Sequence, residues 1–238
     1  MPTRKATRKR SRTTAGQQAA PAERLRTILA RLDKKYPGVR CALTHTNAWE
    51  LLAATILSAQ CTDVRVNMVT PALFERFPTP AAMAAASLPE IEALIRTTGF
   101  FRNKAKHLRG AAERITQEFR GKVPNTMEDL LTLPGVARKT ANVVLGSWFG
   151  IADGVVVDTH VLRISHRLGL TKNTTPEKVE RDCIRILPQE RWVDFSHQII
   201  HLGREICIAR RPRCMDCPLE DLCQSKDKTW NSQRESSA

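Results

Sequence analysis

Apolar side chains recur at helical spacing along almost the whole chain. In one segment near the start, apolar residues fall at positions i, i+3, i+4 and i+7, which lie on one face of an α-helix. These residues are Leu25, Ile28, Leu29 and Leu32. No segment shows the sustained apolar–polar alternation that is typical of strands, and Gly154 to Val157 is at most a short extended piece. The pattern predicts an all-α fold.

Basic residues outnumber acidic ones, with 38 Lys and Arg against 24 Asp and Glu, for a net charge of +14. Six basic residues precede the first acidic residue, Glu23, so +8 remains on the rest of the chain. This charge favours a polyanionic partner such as nucleic acid, although a merely solubilising surface charge is the alternative. We interpret residues 1–20 as a disordered basic tail and residues 229–238 as a second disordered tail.

Membrane insertion and export are both disfavoured by the sequence. No stretch approaches the roughly 18 consecutive apolar residues that a bilayer span needs. The first 20 residues also lack the apolar segment of a secretory signal. We therefore expect a protein with no membrane partner.

Four of the seven cysteines lie close together, at Cys207, Cys214, Cys217 and Cys223. Their spacing predicts a metal or cluster site rather than a disulfide framework, and by itself it allows either zinc or a four-iron cluster. The other three cysteines are interpreted as small buried thiols. Beside the first two of the four lie Arg210, Arg211 and Arg213, whose guanidinium groups suit phosphate oxygens.

A tight turn at Pro134-Gly135 separates two predicted helices, Met127 to Thr132 and Arg138 to Phe149. Backbone N–H groups in such a turn and in the next first helical turn suit a phosphate, although an ordinary helix–turn–helix corner is the alternative. Lys139 lies in that first turn, where the helix dipole should lower its pKa and favour the neutral, nucleophilic amine. The alternative for any single lysine is a solvated surface charge.

An acidic residue follows three consecutive valines, Val155 to Val157, at a predicted helix start. Aspartate is a good helix N-cap, and this alone accounts for Asp158. The apolar wall can also hold the carboxylate in a fixed place as the electrostatic and general-base partner of an amine. The two interpretations are compatible.

Taken in this order, these residues resemble the endonuclease III family of DNA repair glycosylases. The most specific elements are L-P-G-V-A-R-K-T-A at 133–141, V-D-T-H-V at 157–161 and the cysteine cluster. Segments 57–63 and 99–105 are also similar to family segments, and the resemblance extends from about residue 22 to residue 228. It implies a two-lobed, all-α helix-hairpin-helix fold that binds DNA between the lobes.

The resemblance also implies a domain organisation and a cofactor. Residues 41–152 would form a six-helix domain, with the helix-hairpin-helix at about 126–149. Residues 21–40 and 153–228 would form a second helical domain, in which Cys207, Cys214, Cys217 and Cys223 hold a [4Fe-4S] cluster.

The activity that the resemblance implies is excision of oxidised pyrimidines from duplex DNA, followed by β-elimination at the abasic site. Lys139 matches the family's Schiff-base nucleophile, and Asp158 matches its catalytic aspartate. Gln60 would fill the gap left by the extruded nucleotide, and Phe100 or Phe101 would wedge against the opposite strand. Further DNA contacts are expected from Gly135, Ala137, Arg138, Arg210, Arg211 and Arg213.

We expect the partner to be double-stranded DNA with a damaged base or an abasic site, bound by a monomer in the bacterial cytosol or nucleoid. One departure is Ala137, where the family usually has glycine. A required positive φ or a very close phosphate approach there would weaken the backbone contact, but we expect little damage because alanine suits the first turn of a helix. Two other classes of function remain alternatives, a non-catalytic DNA-binding module and an electron carrier. The first leaves the paired Lys139 and Asp158 without a role, and the second leaves the remaining helical chain and its basic charge unexplained.

Overall fold

The computed structural model describes residues 21–229, and over this range the chain forms α-helices, short helical turns and loops but no strand. The all-α prediction is therefore confirmed. The tails predicted to be disordered, 1–20 and 229–238, lie outside the described residues except for Thr229. The α-helices are α1 (Pro21–Lys35), α2 (Ala48–Leu57), α3 (Asp63–Arg76), α4 (Pro80–Ala85), α5 (Leu88–Ile95), α6 (Phe101–Glu118), α7 (Met127–Leu131), α8 (Arg138–Val144), α9 (Thr159–Arg167), α10 (Pro176–Ile186) and α11 (Trp192–Glu205).

Two separate hydrophobic clusters divide these helices into two lobes. The first cluster runs from Leu43 to Leu145 and unites α2 to α8, which we call the hairpin lobe. The second unites α1 with α9 to α11 and extends to Leu219, and we call this part, with its cysteine-rich end, the cysteine lobe. The first cluster lies within the domain predicted for residues 41–152, and the second lies within the domain predicted for 21–40 and 153–228. The exact boundaries of the two domains remain predictions. The hairpin lobe contains seven α-helices, α2 to α8, of which α4 and α7 are the shortest.

Helix α2 forms the centre of the hairpin lobe. Eight of its ten residues are buried, so it carries no exposed polar face of the kind that a surface helix shows. It packs against α3, α6 and α8, which enclose it. The side chain of Asn47 caps its start by accepting a hydrogen bond from the N–H of Glu50 at 2.9 Å.

Helix α1 belongs to the cysteine lobe although about 120 residues separate it from the next helix of that lobe. The guanidinium of Arg24 donates to the carbonyl of Leu222 at 3.2 Å, and that of Arg31 donates to the carbonyl of Pro218 at 2.9 Å. Arg31 also pairs with Asp221. These bonds hold α1 against residues 218–222 of the cysteine-rich part of the lobe. Among the described helices, none combines the length and the apolar character that crossing a membrane would need.

Candidate active site between the lobes

The hairpin between α7 and α8 is anchored by two buried side chains, Leu133 and Val136, with Gly135 exposed at the turn. Gly135 has φ +78, in the left-handed region, where other residues are strained. A Cβ at this position would also lie 2.7 Å from the Cβ of His107 on α6. The hairpin conformation therefore requires glycine at residue 135.

Ala137 adopts an ordinary extended conformation, with φ −98 and ψ 170. Its methyl group therefore causes no backbone strain, and a positive φ is not required at this position. No side chain caps α8, so the N–H groups of its first turn have no capping partner among the described residues. This leaves them available to an anion.

Arg138 begins α8, but its side chain contacts the cysteine lobe. Its Nε lies 3.1 Å from both carboxylate oxygens of Glu180, and its Nη2 lies 3.9 Å from the Asp153 carboxylate. The hydrogen bond to Glu180 raises the pKa of Arg138. The guanidinium is thus already paired with carboxylates of the cysteine lobe.

Lys139 and Asp158 come from different lobes and line one cavity. Lys139 is exposed, and among the described residues its amine has no hydrogen bond or ion pair. The cavity wall also includes Val143 of α8 and Val156, which precedes Asp158 by two residues. The two residues that the sequence suggested for chemistry therefore meet at the junction of the lobes.

Asp158 caps helix α9, as its sequence position suggested. Its Oδ1 accepts hydrogen bonds from the N–H groups of His160 and Val161, both at 2.8 Å. The second carboxylate oxygen has no partner among the described residues. Helix capping thus fixes Oδ1 of Asp158, and the other carboxylate oxygen remains available to a group bound in the cavity.

The imidazole of His160 lies two residues after Asp158. Burial lowers the pKa of His160, and the nearby guanidinium of Arg163 acts in the same direction against the attraction of Asp158. Nη2 of Arg163 lies 3.2 Å from Nδ1 of His160. Since a guanidinium only donates, this Nδ1 accepts and carries no proton.

Several cavity residues had no role assigned to them from the sequence. His197 lies beside Ser147, with 3.2 Å between its Nε2 and the serine Oγ, and burial lowers its pKa. Burial raises the pKa of the Cys41 thiol, because it too disfavours the charged form. Asp63 and Arg204 form an ion pair of 2.6 Å between the lobes at the same cavity. Isolated residues of these types become recognisable only when the lobes bring them together.

Gln60 and Phe100 share an unusual combination of exposure and backbone strain. Their φ angles are 52 and 48, and of the described residues other than glycine only Arg120 also has a positive φ. Phe100 is 65% exposed, whereas Phe101 is half-buried beneath the guanidinium of Arg102. Strained residues outside glycine concentrate at functional sites. Between the two phenylalanines, exposure favours Phe100 as the wedge.

The four thiols of the cysteine loop, residues 207–223, line one shared cavity. Arg167 borders it, with Nη1 3.3 Å from Sγ of Cys207 and its carbonyl accepting from Sγ of Cys223 at 3.3 Å. Within residues 21–229, no three His, Cys, Asp or Glu side chains meet closely enough to hold a single metal ion. A cavity with thiols around it instead fits a polynuclear cluster with one thiolate for each iron. Burial raises the pKa of Cys217 to about 11, so cluster binding must displace its proton.

The three arginines of this loop differ in their contacts. Arg210 and Arg211 are exposed and have no partner among the described residues. Arg213 donates to the carbonyl of Glu205 at 2.6 Å and lies 3.7 Å from the Asp216 carboxylate. Two of the three guanidinium groups are therefore free for phosphate.

The chain has two helices joined by a hairpin, a lysine and a carboxylate that line one interlobe cavity, and a loop with four cysteines. These features together are typical of a helix-hairpin-helix protein of the DNA repair type. Residues 53–189 match the HhH-GPD superfamily of base excision DNA repair proteins, and residues 207–223 match the iron-sulfur binding domain of endonuclease III. The chain belongs to the endonuclease III family of this superfamily. Its cofactor is a [4Fe-4S] cluster.

Named relatives cover nearly the whole described chain. The chain is 57% identical over 207 residues to endonuclease III of Synechocystis sp., covering 87% of this chain and 94% of that protein. It is 40% identical over 201 residues to endonuclease III of Escherichia coli, covering 84% and 95%. A non-covalent endonuclease III–DNA complex superposes with a TM-score of 0.81 at 41% identity, covering 87% and 96%. A trapped covalent endonuclease III–DNA intermediate gives the same score and identity, covering 87% and 97%.

Proposed function

We propose that this protein is a bifunctional DNA glycosylase and abasic-site lyase that excises oxidised pyrimidines from duplex DNA. The observation that carries the proposal is the cavity in which Lys139 of one lobe faces the same space as Asp158 of the other. The family membership supports base excision repair chemistry, and the trapped covalent complex of a relative supports a covalent intermediate.

The reaction begins with extrusion of the damaged nucleotide, because C1′ of the sugar is inaccessible inside the base stack. Unpairing and unstacking cost a few kcal/mol, and less for a lesion that stacks badly. Gln60 offsets this cost by filling the vacated space, and Phe100 does so by wedging against the opposite strand. Their exposure and fixed left-handed backbone suit both roles.

Lys139 then supplies the nucleophile. The lone pair of its neutral Nζ forms a bond to C1′, the bond from C1′ to the base breaks, and its electron pair leaves with the base, which takes up a proton. Asp158 stabilises the positive charge that develops on the sugar and accepts a proton from Nζ. Opening of the C1′–O4′ bond, with protonation of O4′, yields the Schiff base.

Strand cleavage follows from the acidity of C2′ in that Schiff base. A base removes the C2′ proton, a C1′–C2′ enamine forms, and the electrons of the enamine expel the 3′ phosphate with its C3′–O bond. Water then releases the sugar fragment from Lys139. The elimination needs no oxidant or reductant.

Phosphate contacts hold the strand during these steps. The uncapped first turn of α8 offers backbone N–H groups, and Arg210 and Arg211 offer free guanidinium groups. The cluster, when bound by the four cysteines, fixes the loop that carries these arginines. We further propose that the protein acts as a monomer in the cytoplasm.

Borohydride trapping tests the nucleophile. Wild-type protein incubated with a duplex that carries one oxidised pyrimidine should form a reduced covalent complex, and Lys139→Ala should form none. Lys178→Ala is the matched control, since Lys178 is also an exposed lysine in the first turn of a helix. A Lys139→Ala variant that traps as efficiently as Lys178→Ala contradicts the assignment. Duplexes that each carry one other lesion test the substrate class. Faster cleavage of any of these than of the oxidised-pyrimidine duplex would contradict it.

A further inference from the structure

Glu180 is a buried carboxylate that the mechanism above does not use. It lies on α10 of the cysteine lobe and is 7% exposed. Its hydrogen bonds reach across to the hairpin lobe, where Nε of Arg138 lies 3.1 Å from each of its oxygens and Nδ2 of Asn142 donates at 3.0 Å. Both donors belong to α8, the helix that carries Lys139.

The same carboxylate also contacts the segment that leads to Asp158. A Cβ on Gly154 would lie 2.2 Å from Oε1 of Glu180, so the backbone there passes directly against the carboxylate. The buried valines 155–157 continue from this point to Asp158. Asp153, beside Gly154, lies 3.9 Å from Arg138 and adds a second anchor.

Stability alone does not explain this arrangement. A buried ion pair must repay the loss of hydration of both groups, and apolar side chains of similar volume often hold two elements together as well or better. Charged partners with directional hydrogen bonds do fix orientation. Glu180 touches both the helix of Lys139 and the approach to Asp158, which are the two parts whose relative position the chemistry depends on.

We propose that Glu180 is a positioning residue that sets the distance between the Lys139 amine and the Asp158 carboxylate across the two lobes. The inference rests on the proposed function of these two residues. It assigns the Arg138 guanidinium to this interlobe contact instead of to DNA.

Glu180→Gln tests the proposal, because it removes the charge and keeps the shape. We expect the single-turnover rate of Schiff-base formation on abasic duplex, read by borohydride trapping, to fall on the order of 10- to 100-fold. The dissociation constant for a duplex with a tetrahydrofuran abasic analogue should not change. A merely structural role would lower thermal stability without this separation of rate from binding.

Asp33→Asn is the matched control. Asp33 likewise accepts hydrogen bonds from one guanidinium and one amide, those of Arg191 and Gln198, but both lie within the cysteine lobe. This variant should keep the wild-type rate. If Glu180→Gln keeps it as well, or loses no more than Asp33→Asn, the proposal is overturned.

Arg138→Gln breaks the same contact from its more exposed side, since the Arg138 side chain is 45% exposed and that of Glu180 is 10% exposed. Its thermal unfolding is measured beside that of Glu180→Gln, so that rates are compared only for folded protein. It should reproduce the loss in rate, and the double variant should be no slower than either single variant, since all three remove one contact. Weaker binding at an unchanged rate would instead assign Arg138 to DNA and overturn the proposal. Failure of the wild-type protein to trap would count against the proposed function and not against the role of Glu180.

Discussion

The hairpin, residues 133–139, and the cysteine loop, residues 207–223, are both proposed to grip DNA, yet they are built differently. The hairpin is shaped by its own backbone, with two buried anchors and a glycine at φ +78, between two helices that it joins directly. The cysteine loop contains only two short helical turns, Cys214–Asp216 and Glu220–Leu222, and a single fully buried apolar residue, Leu219.

Distant side chains hold the cysteine loop instead. Arg24 and Arg31 reach it from α1, and Arg167 reaches it from α9. Its four thiols add a site for the cluster. The contrast teaches that the turn of one phosphate-binding element follows from its own residues and the core of its lobe, whereas the other element depends on tethers from two distant helices and on a cofactor. Loss of the cluster should therefore disable the loop and leave the hairpin folded.

Among the substitutions that test this difference, removal of a cluster ligand should lower the free energy of unfolding most. Cys217→Ala should lose iron and lower the free energy of unfolding by more than about 3 kcal/mol, because cluster binding contributes directly to folding. Iron content, visible absorption and urea denaturation measure this, and limited proteolysis should cut within 207–223 first.

Cys183→Ala is the control for that experiment, since Cys183 is a buried thiol of the same lobe outside the loop. It should keep its iron and lose only about 1 kcal/mol. Equal iron loss in both variants would contradict the assignment of ligands, and proteolysis beginning in the hairpin of Cys217→Ala would contradict the independence of the hairpin.

Substitution at the hairpin turn should have an intermediate effect. Gly135→Ala should cost about 1–3 kcal/mol, because a side chain at φ +78 is strained and its Cβ would lie 2.7 Å from His107. Ala137→Gly should change stability by less than about 0.5 kcal/mol, since φ −98 suits either residue. Urea denaturation of the two variants compares them. Equal losses would contradict the account of the hairpin.

Loss of the free arginines should have the smallest effect. Arg210→Ala and Arg211→Ala should each reduce the slope of log binding constant against log salt by about 0.9, the value for one phosphate contact. Arg213→Ala should change the slope less, because its guanidinium already donates to the carbonyl of Glu205 and forms an ion pair with Asp216. The slope is measured from binding to a duplex with an abasic analogue over a series of salt concentrations. A slope that falls only in Arg213→Ala would show that Arg213, and not Arg210 or Arg211, contacts phosphate.

Local patterns in the sequence predicted the helices, the hairpin turn and the cap at Asp158, because each depends on residues close together in the chain. They also drew attention to Lys139 and the four cysteines. The pattern could not reveal that Phe100 is exposed and Phe101 half-buried, since both are equally apolar. Nor could it reveal that Arg138 pairs with Glu180, which lies 42 residues away.

The amino-acid sequence by itself determined the helical class, the family and the residue types available for chemistry. The tertiary structure decided which of those groups come together: Lys139 and Asp158 line one cavity, and Arg138 pairs with Glu180 across the two lobes. The physical reason is that helix formation and turns are governed by neighbouring residues, whereas the cavity exists only where two independently packed cores meet.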